Sequence, residues 1–310
     1  MANAGHTPVL SREVVKALKL PCDGLLVDAT FGRGGHSRLG LEQLGPNGRI
    51  LAIDRDPDAV SYGQREFAAE PRIKIVRGRF SELASIIAEH YPDARVDGIL
   101  LDLGVSSPQL DSAARGFSFN TSGPLDMRMD PDSGVSAGQW LADAEEYEIV
   151  RVLRQLGEER FARRIAVAIK QAISEDQLDT TADLSRIVSA AIPVHERHKH
   201  PATRTFQAIR MKVNDELGEL EKALDQSLSH LGCGGRLVII SFHSLEDRMV
   251  KRFFRKQARG DDFPPDLPIT SDHLNPRLKL IGKSVRADAA EIANNPRARS
   301  AVMRVAEKIA

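Results

Sequence analysis

Cysteine is almost absent from this chain of 310 residues, which has only Cys22 and Cys233. Two cysteines so far apart make no disulfide framework, and no close pair offers a zinc site. Net charge is absent too, since 43 lysines and arginines balance 43 aspartates and glutamates. A uniformly basic coat of the kind that wraps nucleic acid is thereby excluded, although local basic faces are not. Aromatic residues make up only 5%, which argues against a broad platform for stacking single-stranded bases. No apolar run approaches the ~18 residues that a membrane span needs. The opening segment from Met1 to Leu10 has neither a basic n-region nor an apolar h-region, so no signal peptide is expected. Internal repeats and low-complexity tracts are missing as well. What remains is the profile of a cytoplasmic enzyme, long enough for about two domains at ~150 residues each.

The first hundred or so residues alternate between two periods. Leu25-Leu26-Val27-Asp28, Ile50-Leu51-Ala52-Ile53-Asp54, Ile73-Lys74-Ile75-Val76 and Gly98-Ile99-Leu100-Leu101-Asp102 are short apolar runs, as buried parallel strands require. Stretches with helical spacing lie between them, at 39–44, 59–67 and 83–88. The alternation predicts a doubly wound α/β sheet. From 104 to 136 all periodicity stops, and Gly, Ser, Pro, Asp and Asn dominate. Helices are then expected at 137–156, 158–174 and 181–191, the last stopped by Pro193. A further helix at 203–231 is expected to return in part to the sheet. Strand character resumes at Gly235-Arg236-Leu237-Val238-Ile239-Ile240-Ser241, followed by a basic helix at 244–258 and closing strands at 278–281 and 301–305. The sheet domain is therefore expected to be discontinuous, residues 1–110 and 205–310, with a loop plus all-helical insertion at 111–204.

The first strand runs into Asp28-Ala29-Thr30-Phe31-Gly32-Arg33-Gly34-Gly35-His36-Ser37. Glycines after the first strand of such a sheet let the backbone approach a ligand beside a helix N-terminus. Asp54 closes the second strand, where a carboxylate can accept hydrogen bonds from both ribose hydroxyls of a nucleoside. Together these features point to an adenosine-containing cofactor. The glycine order departs from the Gly-x-Gly-x-x-Gly of dinucleotide sites, which disfavours a nicotinamide-dependent dehydrogenase. An acidic residue at the first strand end, Asp28, suits the ammonium of S-adenosylmethionine better than a pyrophosphate.

Asp102 ends the fourth strand and leads into Leu103-Gly104-Val105-Ser106-Ser107-Pro108-Gln109-Leu110-Asp111. Ligands in open α/β sheets bind outside the carboxyl ends of the strands, so topology alone turns Asp102 toward the cofactor. Gln109 is a candidate hydrogen-bonding partner there. Downstream, Arg115-Gly116-Phe117-Ser118-Phe119 and the stretch from Gly123 to Asp130, with Arg128, interleave rings and charges that can stack a base and pin a phosphate. Anchoring of the same loop on the core is an equal alternative. Ser244 and Asp247 have the spacing of a capping box, and His243 stands where active-site residues stand, with a histidine hydrogen-bonded in place as an equal alternative.

Local charge departs from the zero mean. Arg248, Lys251, Arg252, Arg255, Lys256 and Arg259 follow one another with no acid between them, and Arg277, Lys279, Lys283 and Arg286 continue the trend. Arg151, Arg154, Arg160, Arg163 and Arg164 add basicity to the insertion. Such clusters bind phosphates or simply form solvated faces. The histidines of His195-Glu196-Arg197-His198-Lys199-His200-Pro201 alternate with cations that would repel a metal, so no metal site is expected.

Several segments coincide with one family. They are the segment from Gly5 to Leu10, the loop from Asp28 to Ser37, the stretch from Asp102 to Asp111, Arg115 to Phe119, Gly123 to Asp130, His200 to Ala208, Val213 to Leu217, and Ser241 to Arg248. In this set and order the chain resembles the RsmH (MraW) family of bacterial cytosine-N(4) methyltransferases. The resemblance implies a class I, Rossmann-like S-adenosylmethionine-dependent methyltransferase sheet with an inserted helical domain for substrate recognition. It implies methylation of the exocyclic amine of a P-site decoding-centre cytidine in 16S rRNA of the small ribosomal subunit. Cofactor contacts carry over to Gly34, Gly35, His36, Asp54, Phe80, Asp102 and Gln109, with Phe80 against the adenine. Asp102 is also the candidate catalytic residue. Arg115, Phe117, Phe119, Arg128, His243 and Arg248 are the candidate RNA contacts. A noncatalytic ribosome-assembly factor and a methyltransferase on another nucleic acid are the rival readings. Monomer or dimer, naked RNA or assembled subunit, and the role of residues 260–272 are left open.

Overall fold

The computed structural model describes residues 8–194, 200–261 and 274–310. The metal-site reading of 195–201 and the open question of 260–272 fall largely outside these residues, as do Gly5, His6 and Thr7. The described chain divides into two compact units, residues 1–104 with 218–310 and residues 105–217.

The first unit opens with α1 (Ser11–Leu18), then β1 (Leu25–Asp28), α2 (Gly35–Gln43), β2 (Arg49–Asp54), α3 (Pro57–Glu66), β3 (Ile73–Arg77), α4 (Leu83–His90) and β4 (Val96–Asp102). The insertion contains α5 (Ser107–Asp111), α6 (Ala137–Asp143), α7 (Glu146–Gln155), α8 (Ala162–Ser174), α9 (Thr181–Ala191) and α10 (Thr203–Asn214). The chain then passes along α11 (Glu216–His230) into β5 (Leu231–Ser241), α12 (Ser244–Arg259), β6 (Leu278–Leu280), α13 (Ala289–Asn294) and β7 (Val302–Lys308).

The seven strands form one sheet in the order β3-β2-β1-β4-β5-β7-β6. The first five are parallel, with Val27 level with both Leu51 and Ile99. Strand β7 runs antiparallel to β5, and β6 antiparallel to β7. Side chains alternate between the two faces, so the apolar runs feed two cores. Val27, Leu51, Ile53, Ile99, Leu101, Leu237 and Ile239 pack with Leu83, Ile87, Leu224, Val250 and Phe254. Leu26, Ile50, Ala52, Leu100, Val238 and Ile240 pack with Val14, Leu18, Leu41 and Phe67 on the other side. Each such buried leucine or isoleucine stabilises the fold by about 1.5–3 kcal/mol. Both faces being covered is why these strands read as continuous apolar runs.

Helix boundaries are where the sequence misleads. The expected helix at 137–156 is two, because Ala144 and Glu145 are extended and Glu148 accepts from Glu145 N at 3.1 Å to start a new helix. The helix expected from 158 begins at Ala162, since Glu158 has φ 49° and Glu159 accepts from Phe161 N at 2.9 Å. The expected helix at 203–231 breaks at Asp215, φ 49°. Its first half, through Phe206, Ala208 and Ile209, joins the core of the insertion. The second compact unit spans 105–217, where the sequence reading sets the insertion at 111–204. Helices α1 and α13 were not anticipated. The expected capping box of Ser244 and Asp247 lies one residue earlier: His243 is the extended cap, and Glu246 accepts from Phe242 N at 2.8 Å. Asp247 is held instead by Arg304 at 2.7 Å.

Within the insertion, the segment from Val213 to Leu217 acts as a clamp. Asn214 donates to Met127 O at 2.7 Å and Arg210 O at 2.9 Å, and accepts from Met129 N at 2.8 Å. Met127 is fully buried with φ 58°, a left-handed conformation that a side chain adopts only when its surroundings impose it. Glu216 closes the clamp with two 2.7 Å bonds from Arg210.

Replacing Asn214 by Ala leaves Met129 N–H and Met127 C=O buried without that partner, and about 2–4 kcal/mol of stability is expected to be lost. Trp140, the sole tryptophan, lies in the insertion and reports its unfolding by denaturant titration. A change within about 0.5 kcal/mol, the usual scatter of a surface substitution, would show that the clamp is dispensable.

Candidate active site

Strands β2 and β3 lie on one side of β1, while β4 and β5 lie on the other. The loops leaving β1 and β4 therefore diverge, and such a switch point is where open α/β sheets bind ligands. The loop after β1 is stitched to both neighbours: Ala29 N donates to Leu100 O at 3.0 Å and Phe31 N to Ile53 O at 2.9 Å. Asp102 N donates to the Thr30 hydroxyl at 2.6 Å, tying the end of β4 to the same loop.

Three carboxylates end adjacent strands at this edge. Asp28 is only 1% exposed, and its oxygens accept from Ser37 Oγ at 2.6 Å and Thr30 N at 3.3 Å. Burial pushes its pKa up, against the pull of Ser37 and His36. Asp28 thus organises its own loop through both of its oxygens. Asp54 accepts from Gly32 N at 2.7 Å and Asp56 N at 2.9 Å. Burial outweighs those two bonds and raises its pKa to about 6.

Asp102 is the carboxylate left with capacity. Its Oδ1 is buried with no hydrogen-bond partner, and its Oδ2 lies 3.5 Å from His36 Nε2. The His36 ring is 7% exposed, and neither ring nitrogen has a well-aligned hydrogen bond. Burial alone would lower its pKa, but Asp102 and Asp28, with a smaller pull from Glu291, hold it above the ordinary imidazole value. A cluster of carboxylate acceptors suits a ligand rich in hydroxyl and amino groups, and repels a pyrophosphate.

Gly34 and Gly35 open α2 beside this cluster. Gly34 has φ 70°, and a Cβ there would meet the rings of Phe31 at 2.7 Å and Phe67 at 2.8 Å. The close approach at this glycine is to the protein's own aromatics, so its first duty is to the fold. Phe80 sits in a short 3-10 turn directly after β3, half-buried against the core. Gly34, Gly35, His36, Asp54, Phe80 and Asp102 thus all follow strand ends in the sheet unit.

The remaining candidates are placed differently. Gln109 belongs to the insertion, where it is buried and accepts from Ser106 N at 2.9 Å in the capping box of α5. Phe117 is 6% exposed within the insertion core, so its ring is an anchor rather than a stacking surface. Arg115 donates to Met129 O at 2.8 Å and Arg128 O at 3.2 Å. Arg128 makes a two-pronged pair with Asp126 at 2.7 and 2.8 Å. Both arginines hold the loop. Phe119 is half-buried and stacks on His200, centroids 4.5 Å apart, with Phe206 edge-on. His243 caps α12, its Nε2 3.0 Å from Glu246 Oε1. Arg248 is exposed one turn into that helix.

Thr30, Ser37 and Glu291 escaped the sequence reading. The first two stand inside the glycine motif, and their small hydroxyls carry no signal without the strand order. Glu291 comes from far along the chain and accepts from Leu10 N at 2.7 Å.

The model of the MraW methylase family matches residues 3–309 of this chain. Among solved structures, an rRNA methylase described from Clostridium thermocellum is 11% identical, with a TM-score of 0.45 over 98% of this chain and 100% of that one. An rRNA methylase from Streptococcus thermophilus is 10% identical, with a TM-score of 0.43 over 97% and 94%. A methyltransferase from Streptococcus mutans, solved with SAH, is 10% identical, with a TM-score of 0.41 over 96% and 95%. Likenesses this remote add nothing to the family match.

The raised pKa of Asp54 gives a test of its ligand role. Its charged form is disfavoured by folding, so this contribution to stability is present below the unfolded value near 3.8 and is lost as pH rises through about 6. Accepting two ribose hydroxyls needs the ionised form. Affinity for S-adenosylhomocysteine, measured by calorimetry, is expected to rise up to tenfold per pH unit toward 6 and then level off. Asp54→Asn removes that dependence. A flat profile from pH 5 to 8 in the native protein would dismiss Asp54 as the ribose partner.

Proposed function

We propose, from the premise that this chain belongs to the MraW methylase family and is an S-adenosylmethionine-dependent methyltransferase, that its substrate is the exocyclic N(4) amine of a P-site decoding-centre cytidine in 16S rRNA of the small ribosomal subunit. The observation that carries the reading is the family match across residues 3–309, reinforced by an acceptor-rich strand edge with one unpartnered buried carboxylate oxygen on Asp102.

The residues fit the cofactor by their chemistry. Asp54 receives ribose hydroxyls, Phe80 covers the adenine, and Gly34, Gly35, His36 and Asp102 complete the binding set of the sheet unit. S-adenosylmethionine supplies a methyl group already activated by its sulfonium. A cytosine amine is a poor nucleophile, because its lone pair is delocalised into the ring. The protein's part is then to align that amine, exclude water and receive hydrogen bonds as positive charge develops. Asp102 Oδ1 is the acceptor best suited to this, with His36 holding the other oxygen's side of the carboxylate. The target base has to be unpaired or extruded to reach such an edge. Phe119 and Arg248 are the RNA contacts carried forward, while Arg115, Phe117, Arg128 and His243 support the fold. The helical insertion, here residues 105–217, serves substrate recognition. Among the described residues no helix is long and apolar enough to cross a membrane.

Methyl transfer from labelled S-adenosylmethionine is offered small subunits, naked 16S rRNA and DNA separately, and product nucleosides are identified by mass. One N(4)-methylcytidine in the ribosomal samples is the expected product. Label in DNA alone, or none anywhere despite cofactor binding, would defeat the proposal. Asp102→Asn separates the two duties of that residue. Turnover is expected to fall by about 10²–10³, the usual loss for one transition-state hydrogen bond. Unchanged affinity for S-adenosylhomocysteine would remove its cofactor role, and unchanged turnover its role at the amine.

A further inference from the structure

Helix α12 begins three residues beyond the end of β5, at the same strand edge as Asp102. Its inner face buries Val250, Phe254 and Gln257. On its outer side Arg248, Arg252, Arg255 and Arg259 recur at intervals of four, three and four residues, which sets them in one line along the helix. Lys251 and Lys256 flank that line, the first half-buried and the second exposed. At 1.5 Å per residue the line runs for about 16 Å.

Among the described residues, the acids of α12 and of the strands beside it are engaged away from Lys251, Arg252, Arg255 and Lys256. Both acids of the helix lie in its first turn. Glu246 is buried in the cap, and Asp247 is paired with Arg304 of β7. The neighbouring strand β6 joins α12 through Arg277 N to Gln257 O at 2.9 Å, and it adds exposed Arg277 and Lys279 rather than acids. Asp261, just past the helix, accepts from Asn275 at 2.8 Å, and Glu307 of β7 pairs with Arg236 at 2.9 Å. In a chain whose total charge is zero, cations concentrated this way amount to a local anionic-ligand surface.

We infer that the outer face of α12 docks the phosphate backbone of folded RNA, holding it on the sheet unit so that the target nucleotide reaches the strand edge where the helix starts. This rests on the proposed RNA substrate. The contacts are charge to phosphate and carry no sequence information, so they set position and affinity rather than choice of base.

The test is Lys251→Gln, Arg252→Gln, Arg255→Gln and Lys256→Gln combined, in the full chain. Binding of naked 16S rRNA is measured by filter retention between 50 and 200 mM salt, a window in which a handful of phosphate contacts is worth roughly 10³-fold or more. Each phosphate contact contributes roughly 0.7–0.9 to the slope of log affinity against log salt, so the slope is expected to fall by about 3. Affinity at low salt falls at least about tenfold, while affinity for S-adenosylhomocysteine and the circular dichroism spectrum stay as in the native chain. The charge-keeping pair Arg252→Lys and Arg255→Lys retains the native slope. An unchanged slope in the quadruple variant overturns the inference. So does a fall seen only when Arg160, Arg163 and Arg164 of the insertion are replaced by Gln. Native protein that binds RNA through α12 but methylates no cytidine would defeat the proposed substrate and leave the docking face standing. Methylation with an unchanged slope would do the reverse.

Discussion

The reversal of strand order between β1 and β4 is the constraint on which the rest of this molecule depends. Strands added on opposite sides of β1 force the two loops apart, and the gap has to be held by hydrogen bonds rather than by packing. The loop after β1 meets that need by donating to carbonyls of both flanking strands, Leu100 and Ile53. Thr30 then accepts from Asp102 N across the opening. Because these bonds fix the backbone on both sides, the side chains that end the strands cannot relax away from one another. Asp28, Asp54 and Asp102 are held together as a consequence, and the pKa values of Asp28 and Asp54 are raised first by burial, with a smaller push from neighbouring carboxylates.

The same geometry explains which functional residues were legible. A parallel strand buried on both faces must be a continuous apolar run, so the carboxylate that ends one stands out. Asp28, Asp54 and Asp102 are visible for that reason, and so is the α/β class. Thr30 and Ser37 were invisible because their importance lies in partners set by strand order, as with the 72-residue separation between Thr30 and Asp102. Helix breaks failed for a related reason. Asp215 and Glu158 adopt left-handed φ values with no glycine to announce them, and the breaks are enforced by the packing of α10 and α8 into the insertion core.

Motif residues also divide by duty once their contacts are known. Around Arg115, Phe117, Arg128 and Asn214, side chains that look suited to RNA are spent on one another and on loop carbonyls. The left-handed Met127 shows why so many are needed: a strained, fully buried turn persists only when several independent bonds determine it. His243 is a similar case, read from sequence as a candidate RNA contact or a histidine held in place by a hydrogen bond, and found as a helix cap. Charge and aromaticity in a loop therefore identify function poorly until the backbone's own demand for hydrogen bonds has been met.

What is left over after that demand is met is more informative than what is present. Among the carboxylates at the switch point, Asp28 and Asp54 spend their oxygens on backbone or hydroxyl donors, while Asp102 retains a buried oxygen with none. His36, almost fully enclosed, has no well-aligned hydrogen bond on either ring nitrogen. A buried polar atom left this way costs about 1–3 kcal/mol. Three such atoms, on two side chains in contact, lower the stability of the fold at this edge. A hydroxyl- and amine-bearing molecule bound there would supply hydrogen bonds to these atoms.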